Sequence, residues 1–468
     1  MTLAIAWLCW LLLANAWLNL GAFGWPVIRM DAAEVRVGHA FSFWPGKVSG
    51  RGLRILARDA DVELELDIDA FELDIATLAV VHHQLRTRSA RLDGVVLHLR
   101  LTRTLKELCA HAPGLPAIPG QALPLQGAAC LAQAETAKPH LPDDPVEKVF
   151  HMQLDGLDVR HLREVWIEDQ RLSGELAFRG RWILWPRKEL AIGLTEFRLK
   201  DGTLVQDQKQ RAERMELSLS GELAPFALGQ KDDVWSKISA TLKLRFEQLE
   251  LAGIRSAVLH AKPLAPPSFP ALEGLANLQL DAALERGHVR SFELDVQGEQ
   301  VGIALPERRL ASALRLRVNL HESAPGRLLF ARTQLQLRKP RLDEQRFDDV
   351  EATLDAVGES HLDPERQEVH LDFEAAVSKV KFVLALIPGG LPRTVAKLLI
   401  GEDDQARALG TLHARASGAE VRDFRAGAGG LSLEGGFAFA PKLFGELTAK
   451  FGPVSVKVPL RPDGPTSE

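Results

Sequence analysis

The dominant signal along this chain is a period of two. Between positions 59 and 69, Asp59, Asp61, Glu63, Glu65, Asp67 and Asp69 occupy one parity, and Val62, Leu64, Leu66 and Ile68 occupy the other. A β-strand sends successive side chains to opposite faces, so this stretch predicts a strand with one acidic and one aliphatic face. Upstream, Val35-Arg36-Val37 opens an extended segment, Phe43-Trp44-Pro45-Gly46 marks a turn, and 48–57 resumes as a strand. Downstream, 92–102 alternates with Val95, Leu97, Leu99 and Leu101 on one side and His98, Arg100 and Thr102 on the other. From 150 onward the same rhythm recurs, as in Leu242-Lys243-Leu244-Arg245-Phe246 and Leu314-Arg315-Leu316-Arg317-Val318. Turn signals such as Asp201-Gly202 and Arg286-Gly287 separate the runs. Strands return at 410–417, 420–425, 431–439, 444–451 and 454–460.

Four stretches break the rhythm. Positions 2–28 hold no charged side chain and are long enough, at ~1.5 Å per residue, for a membrane-spanning helix. No Lys or Arg precedes Arg29, so the basic leader of a secretory signal is missing, although Ala14-Asn15-Ala16 fits a cleavage site. A retained anchor and a cleaved signal are the two readings; the length of the apolar run and Trp25 at its end favour the anchor. Positions 103–147 are rich in Pro and Ala and predict an inserted loop. Positions 378–408 lose the alternation and predict two short helices around the Pro-Gly-Gly break at 388–390. The tail at 461–468 predicts a loose end. The expected organisation is therefore an anchor at 1–28, a β region at 29–102, the loop at 103–147, an extended sheet at 148–377, the helical segment at 378–408, terminal strands at 409–460 and the tail.

Charge adds little: a formal net charge of −5 on 468 residues offers no basic surface for nucleic acid. Of three cysteines, Cys9 lies in the apolar leader, and Cys109 and Cys130 flank the Pro/Ala-rich stretch. In an exported chain these two can form a disulfide; two free thiols are the alternative.

Catalytic and metal motifs are missing from the sequence. There is no G-x-S-x-G, H-E-x-x-H or P-loop. Gly427-Ala428-Gly429-Gly430 precedes a predicted strand rather than a helix, so it reads as a turn. His82 and His83 are adjacent and point to opposite faces of an extended chain. The acidic run at 59–69 lacks the turn geometry of a calcium loop. It reads as a solvated face answered by Arg51, Arg54 and Arg58 before it and Arg86, Arg88, Arg91 and Arg100 after it. No cofactor, metal or enzymatic activity is expected.

Hundreds of residues of one-faced strand pose a covering problem. The apolar face must meet helices, a second sheet, itself in a closed barrel, or a ligand. Helical candidates are few. An outer-membrane barrel would want uniform strands of roughly 9–11 residues and aromatic girdles. Many predicted strands are shorter and aromatics are sparse. An open trough beside a membrane segment points to acyl chains as the ligand.

The opening resembles the AsmA-like family. The resemblance rests on the apolar leader, the Phe43-Trp44-Pro45-Gly46 turn, the Gly52-Leu53-Arg54-Ile55 strand and the acidic-aliphatic strand. Arg91-Leu92-Asp93-Gly94-Val95-Val96-Leu97-His98-Leu99 continues it, as do Val421-Arg422-Asp423-Phe424 and Leu431-Ser432-Leu433-Glu434-Gly435-Gly436. It covers about 30–102 and 411–440; the loop at 103–147 departs from it. It implies a bacterial inner-membrane protein, single-pass, with its bulk in the periplasm. It also implies a mainly β fold, a long twisted antiparallel sheet curled into an open, taco-like apolar groove, and phospholipid transfer for outer-membrane biogenesis. Implied partners are phospholipids or other acyl-chain lipids, the inner membrane, and outer-membrane or envelope proteins.

The residues expected to line the groove are Val62, Leu64, Leu66, Leu97, Leu99, Leu242, Leu244, Phe246, Leu314, Leu316, Val318, Leu371, Phe373, Leu431 and Leu433. The rival reading is an envelope assembly factor of packed β-sandwich domains that binds other proteins. An exported enzyme ranks third and needs a pocket where carboxylates or histidines converge.

Overall fold

The computed structural model describes residues 2–20, 28–29, 33–58, 62–77, 79, 84–101, 151–167, 170–185, 189–206, 209–227, 234–252, 272–304, 309–324, 326–363, 366, 368–386, 404–415, 418–439 and 443–460. Most of these residues are in strands. The chain divides into two units, Met1–Lys243 and Leu244–Glu468.

The first unit opens with helix α1, Thr2–Leu18, which has no charged residue in its first or last turn. Strands β1 (Ile28–Arg29), β2 (Ala33–Phe41), β3 (Lys47–Arg58), β4 (Val62–Ile75) and β5 (Gln84–Leu101) follow as a meander. Then come β6 (His151–Ile167), β7 (Gln170–Trp185), β8 (Glu189–Gln206) and β9 (Lys209–Ala227), again as antiparallel neighbours. The Pro45-Gly46 turn has the predicted chemistry. Gly46 has φ +88°, Lys47 N donates to the Trp44 carbonyl at 3.0 Å, and a Cβ on Gly46 would sit 2.3 Å from the Ile75 carbonyl oxygen. Only glycine fits there.

One pairing departs from the expected antiparallel sheet. β5 and β6 run parallel, from Gln84 opposite His151 to Leu99 opposite Ile167. A parallel pair requires the chain to travel back along the sheet before re-entering. The Pro/Ala-rich stretch therefore has a topological role, because the connection between β5 and β6 runs through 102–150. Those positions, with Cys109 and Cys130, lie outside the described residues, as do His82 and His83.

Strand β10 (Ile238–Glu250) straddles the division between the units. The second unit continues with β11 (Leu272–Glu273), β12 (Leu275–Glu285), β13 (His288–Ala304), β14 (Arg309–Ala324), β15 (Arg327–Phe330), β16 (Gln334–Leu342), β17 (Gln345–Arg346), β18 (Glu351–Asp363) and β19 (Glu368–Val377). Helix α2, Lys381–Leu386, is the first of the two short helices expected at 378–408; the place of the second lies outside the described residues. Then come β20 (Ala406–Arg415), β21 (Gly418–Ala428), β22 (Leu431–Phe439), β23 (Leu443–Phe451) and β24 (Val454–Leu460). Gly429 and Gly430 form the β21–β22 turn, as the sequence predicts. Every pairing described from β11 to β24 is antiparallel.

One expectation needs correction. Strands are longer than the alternation suggested: β5 and β8 have 18 residues each and β9 has 19. Short-range turn signals overstated the number of breaks, because many are absorbed as bulges inside a strand. Strand length therefore no longer argues against a membrane barrel, and the parallel β5–β6 pair does, since bacterial outer-membrane barrels are antiparallel. Of the apolar stretch at 2–28, positions 21–27 lie outside the described residues. Among the described residues, no helix is long and apolar enough to cross a membrane, and α1 ends at Leu18.

Helix α1 is fixed to the outer edge of β2 by two asparagines one helical turn apart. Asn15 accepts from the Ser42 amide (2.7 Å) and donates to the Ser42 carbonyl (3.1 Å); Asn19 does the same at Ala40 (3.1 and 2.7 Å). Each carboxamide thus acts as a residue of an adjoining strand. β1 pairs with Glu34 and Val35 farther along the same strand. Trp10 donates to the buried Ser42 hydroxyl at 3.2 Å, and Trp7 to the Phe43 carbonyl at 3.2 Å. The Ala14-Asn15-Ala16 motif therefore contains a structural residue. Replacing both asparagines by leucine, which suits the apolar helix, removes this pairing. The expected result is at least ~10-fold faster hydrogen exchange at the Ala40 and Ser42 amides, with the Leu53 and Ile68 amides unchanged.

Candidate functional site

Ladder registers turn the alternating pattern into continuous rows. In the first unit, Val37, Leu53, Ile68, Val95, Leu162, Leu176 and Leu199 stand opposite one another from β2 to β8. All seven are buried, down to 1 % exposure at Leu199. A second row, Ile55, Leu66, Leu97, Val165, Leu172 and Leu204, lies two residues along β3, β4 and β5 and, after bulges, three to five along β6, β7 and β8. Here only Val165 is buried and the others are half-buried. On the opposite flank, Phe71, Leu92, Val159, Phe178, Phe197 and Leu219 run from β4 to β9, ending at Leu219, which is 39 % exposed.

The second unit repeats this pattern. Leu278, Val296, Leu316, Leu335, Leu354, Ala375, Ala408, Ala426, Leu433, Ala449 and Val456 form one unbroken row from β12 to β24. A parallel row carries Leu314, Leu337, Ala352, Val377, Ala406, Ala428, Leu431, Phe451 and Val454. Both rows end in valines more than half exposed, Val456 at 54 % and Val454 at 57 %.

Of the expected groove residues, Leu66, Leu97, Leu314, Leu316, Leu431 and Leu433 fall on these rows. Leu64 faces Leu99 and Leu66 faces Leu97 across β4 and β5. Leu316 shares a row with Leu433, and Leu314 with Leu431. Leu371 continues through Leu412 and Val421 to Phe437, and Phe373 faces Ala356 and Gly410. Val318 faces Leu294. Leu242, Leu244 and Phe246 lie on β10. Val62 is in β4, and its side chain lies outside the described residues. Of those whose burial is described, Phe246 alone is fully buried; the others are half-buried.

Helix α2 covers part of the apolar face in the second unit. Phe382 and Ala385 join Leu310, Leu342, Phe347, Val350 and Val377 in a buried cluster, against which Leu337, Ala352 and Ala406 pack. Phe347 and Phe382 meet edge to face, with centroids 5.5 Å apart. Lys379 and Lys381 both bind Asp349, the latter at 2.7 Å, tying the helix to the turn before β18.

The opposite parity carries an ion-pair lattice. Arg54 binds Glu65 and stands 3.4 Å from Asp67; Arg163 binds Asp69 at 3.0 Å, and Arg91 stands 3.5 Å from Glu72. Arg54 thus serves the acidic row as the sequence predicts, while Arg91 pairs with Glu72 beyond that row and Arg86 faces Asp155. In the second unit Arg315 and Arg317 converge on Asp295, and Lys450 binds Glu434.

Glu65 corrects the reading of a wholly solvated acidic face, because it is fully buried. Besides Arg54 it meets His98 Nδ1 at 3.0 Å, and His98 Nε2 stands 3.5 Å from Glu164, which Arg171 binds at 2.8 Å. The chain Arg54–Glu65–His98–Glu164–Arg171 ties β3 to β7 across the parallel joint. Trp166 meets the His98 ring edge to face at 4.8 Å. Burial pushes Asp67 above the ordinary carboxylate range, against the pull of Arg54.

The hollows in the surface mix charges with small apolar patches. One of about 630 Å³ is lined by His39, Arg51, Glu72, Arg91, Asp93 and Arg160, with Phe41 and Phe71. Among the described residues, no group of three or more His, Cys, Asp or Glu side chains could hold a metal ion. Compared with known proteins, the chain matches no family model, no curated protein and no solved structure.

The Asp349 clasp gives a pH prediction. Hydrogen bonds from Lys379 and Lys381 hold its carboxyl well below the usual range. A carboxyl depressed by folding stabilises above its unfolded pKa, and that contribution is lost as pH falls through the folded value. Protection of the 382–385 amides should therefore persist through neutral pH and fall in strong acid. Asp349→Asn should reproduce the loss at neutral pH, and hydrogen exchange read by mass spectrometry checks both.

Proposed function

We propose that this chain is a membrane-anchored periplasmic protein that binds phospholipid acyl chains along the apolar face of its sheet and passes them between envelope membranes for outer-membrane biogenesis. The observation that carries this reading is the incomplete burial of the apolar parity. In a packed sandwich, leucines at Leu64, Leu66, Leu97, Leu99, Leu314, Leu316, Leu431 and Leu433 would be buried by the facing layer, and each is only half-buried.

Continuous rows suit a ligand that slides. A methylene moving along Leu316, Leu335 and Leu354 meets the same chemistry at each step, and covering apolar surface contributes about 25 cal/mol per Å². The headgroup remains in water. The anchor belongs to the same proposal: α1 exposes Ile5, Leu8, Leu12, Leu13 and Trp17, and the adjoining turn exposes Phe43 and Trp44. Such a surface suits lipid and its interface.

The buried row from Val37 to Leu199 favours a second reading, an envelope assembly factor with a dry packed interior. Lipid analysis separates the two. The full chain extracted in mild detergent should co-purify with phospholipid, and Leu66→Lys together with Leu316→Lys should lower the bound amount several-fold while leaving the far-UV spectrum unchanged. Lipid-free wild-type protein, or undiminished lipid in the folded double variant, supports the packed reading.

A further inference from the structure

Three histidines form a row on the polar face of the second unit. The registers place His361 on β18 opposite His370 on β19, His370 opposite His413 on β20, and His413 opposite Glu420 on β21. A bulge sets this alignment. Pairing skips from Val357 to His361, with Gly358 at φ +63°. The buried Ser360 hydroxyl donates to the Val357 carbonyl (2.7 Å) and accepts from the Asp372 amide (2.9 Å). The His361 and His370 rings stack with centroids 5.0 Å apart, and His370 meets His413 at 4.5 Å.

The Nδ1 atoms of His370 and His413 are 3.3 Å apart. Two ligands on a tetrahedral ion with metal–nitrogen bonds of ~2.0–2.1 Å are separated by ~3.3–3.4 Å. We propose that His370 and His413 chelate a divalent transition-metal ion through these Nδ1 atoms, with water completing the shell.

The surroundings suit this. Asp372 Oδ1 stands 3.6 Å from His370 Nε2, behind the ligating ring, and accepts a hydrogen bond from Thr411 at 2.7 Å. A carboxylate in that place orients a metal-binding imidazole. Burial, with the neighbouring His370, holds His413 below the usual histidine range. Two nearby cations are matched by anions: Arg422 binds Glu420 at 2.7 Å, and Arg415 binds Glu368 at 3.0 Å. His361 stands beside the pair rather than in it: its Nδ1 lies 3.2 Å from Arg327 and 3.0 Å from the Glu359 carbonyl. An imidazole set selects Zn²⁺, Ni²⁺ or Cu²⁺ over Mg²⁺ and Ca²⁺. The site lies on the opposite parity from Leu371, so it stands or falls independently of lipid binding.

The test uses the full chain without a polyhistidine tag, stripped with chelator. Zn²⁺ is titrated in competition with a chromogenic chelator. One equivalent should bind, with affinity at least ~10-fold weaker in His370→Gln and in His413→Gln and unchanged in His161→Gln. A second measurement needs no variant: Cu²⁺ bound to the wild type should show nitrogen hyperfine structure in its EPR spectrum. Failure of the wild type to compete for Zn²⁺, unaltered binding in the His370→Gln/His413→Gln pair, or a Cu²⁺ spectrum without nitrogen coupling would overturn the proposal.

Discussion

Every structural feature of this protein depends on strand register. A side chain's face is decided by the parity of its position, so a slip of one residue would move a whole strand's leucines to the charged side. The rows show register held across many strands: Leu278 to Val456 in the second unit, Val37 to Leu199 in the first. Bulges interrupt the ladders, as between Val159 and Leu162, yet the rows resume on the same face. The ion-pair lattice reinforces this choice. An arginine moved to the apolar face would lose its carboxylate and its water together.

Long one-faced strands create two liabilities, a bare face and bare edges. The edge at β2 is closed by the carboxamides of Asn15 and Asn19, which substitute for a neighbouring strand. The last strand, β24, carries Lys457 and Pro459, both of which discourage further pairing. The bare face is managed differently along its length. Helix α2 covers it around Val377, whereas the ends of the rows at Val454 and Val456 are left open. An apolar surface protected in one place and exposed in another suits a path with a stop.

Much of this architecture was legible in the sequence because the alternation is strict. The terminal strands, the Pro45-Gly46 turn, and the shared face of Leu314 with Leu316 and of Leu431 with Leu433 follow from local pattern alone. What parity does not encode is pairing partner and direction. The parallel β5–β6 joint depends on where the chain re-enters after 102–150, and no local pattern reports that. The burial of Glu65 depends on Arg54 and His98 arriving from neighbouring strands. The histidine row depends on a bulge at 357–361 that shifts His361 into line with His370. Asn15 looked like part of a cleavage motif because its partner, Ser42, is 27 residues away. In each case the missing information was a contact between distant segments; Gly358 was the one local hint, at the bulge.

The central claim is that the apolar parity is a lipid-contacting surface. Photocrosslinking at neighbouring positions of opposite parity tests it most directly. A benzophenone side chain placed in turn at positions 66, 67, 316 and 317 of the full-length protein, in cells, reports what each face touches. A lipid-contacting apolar face predicts phospholipid adducts at 66 and 316 and none at 67 and 317. Adducts to protein alone at 66 and 316, or equal lipid labelling on both parities, would contradict it.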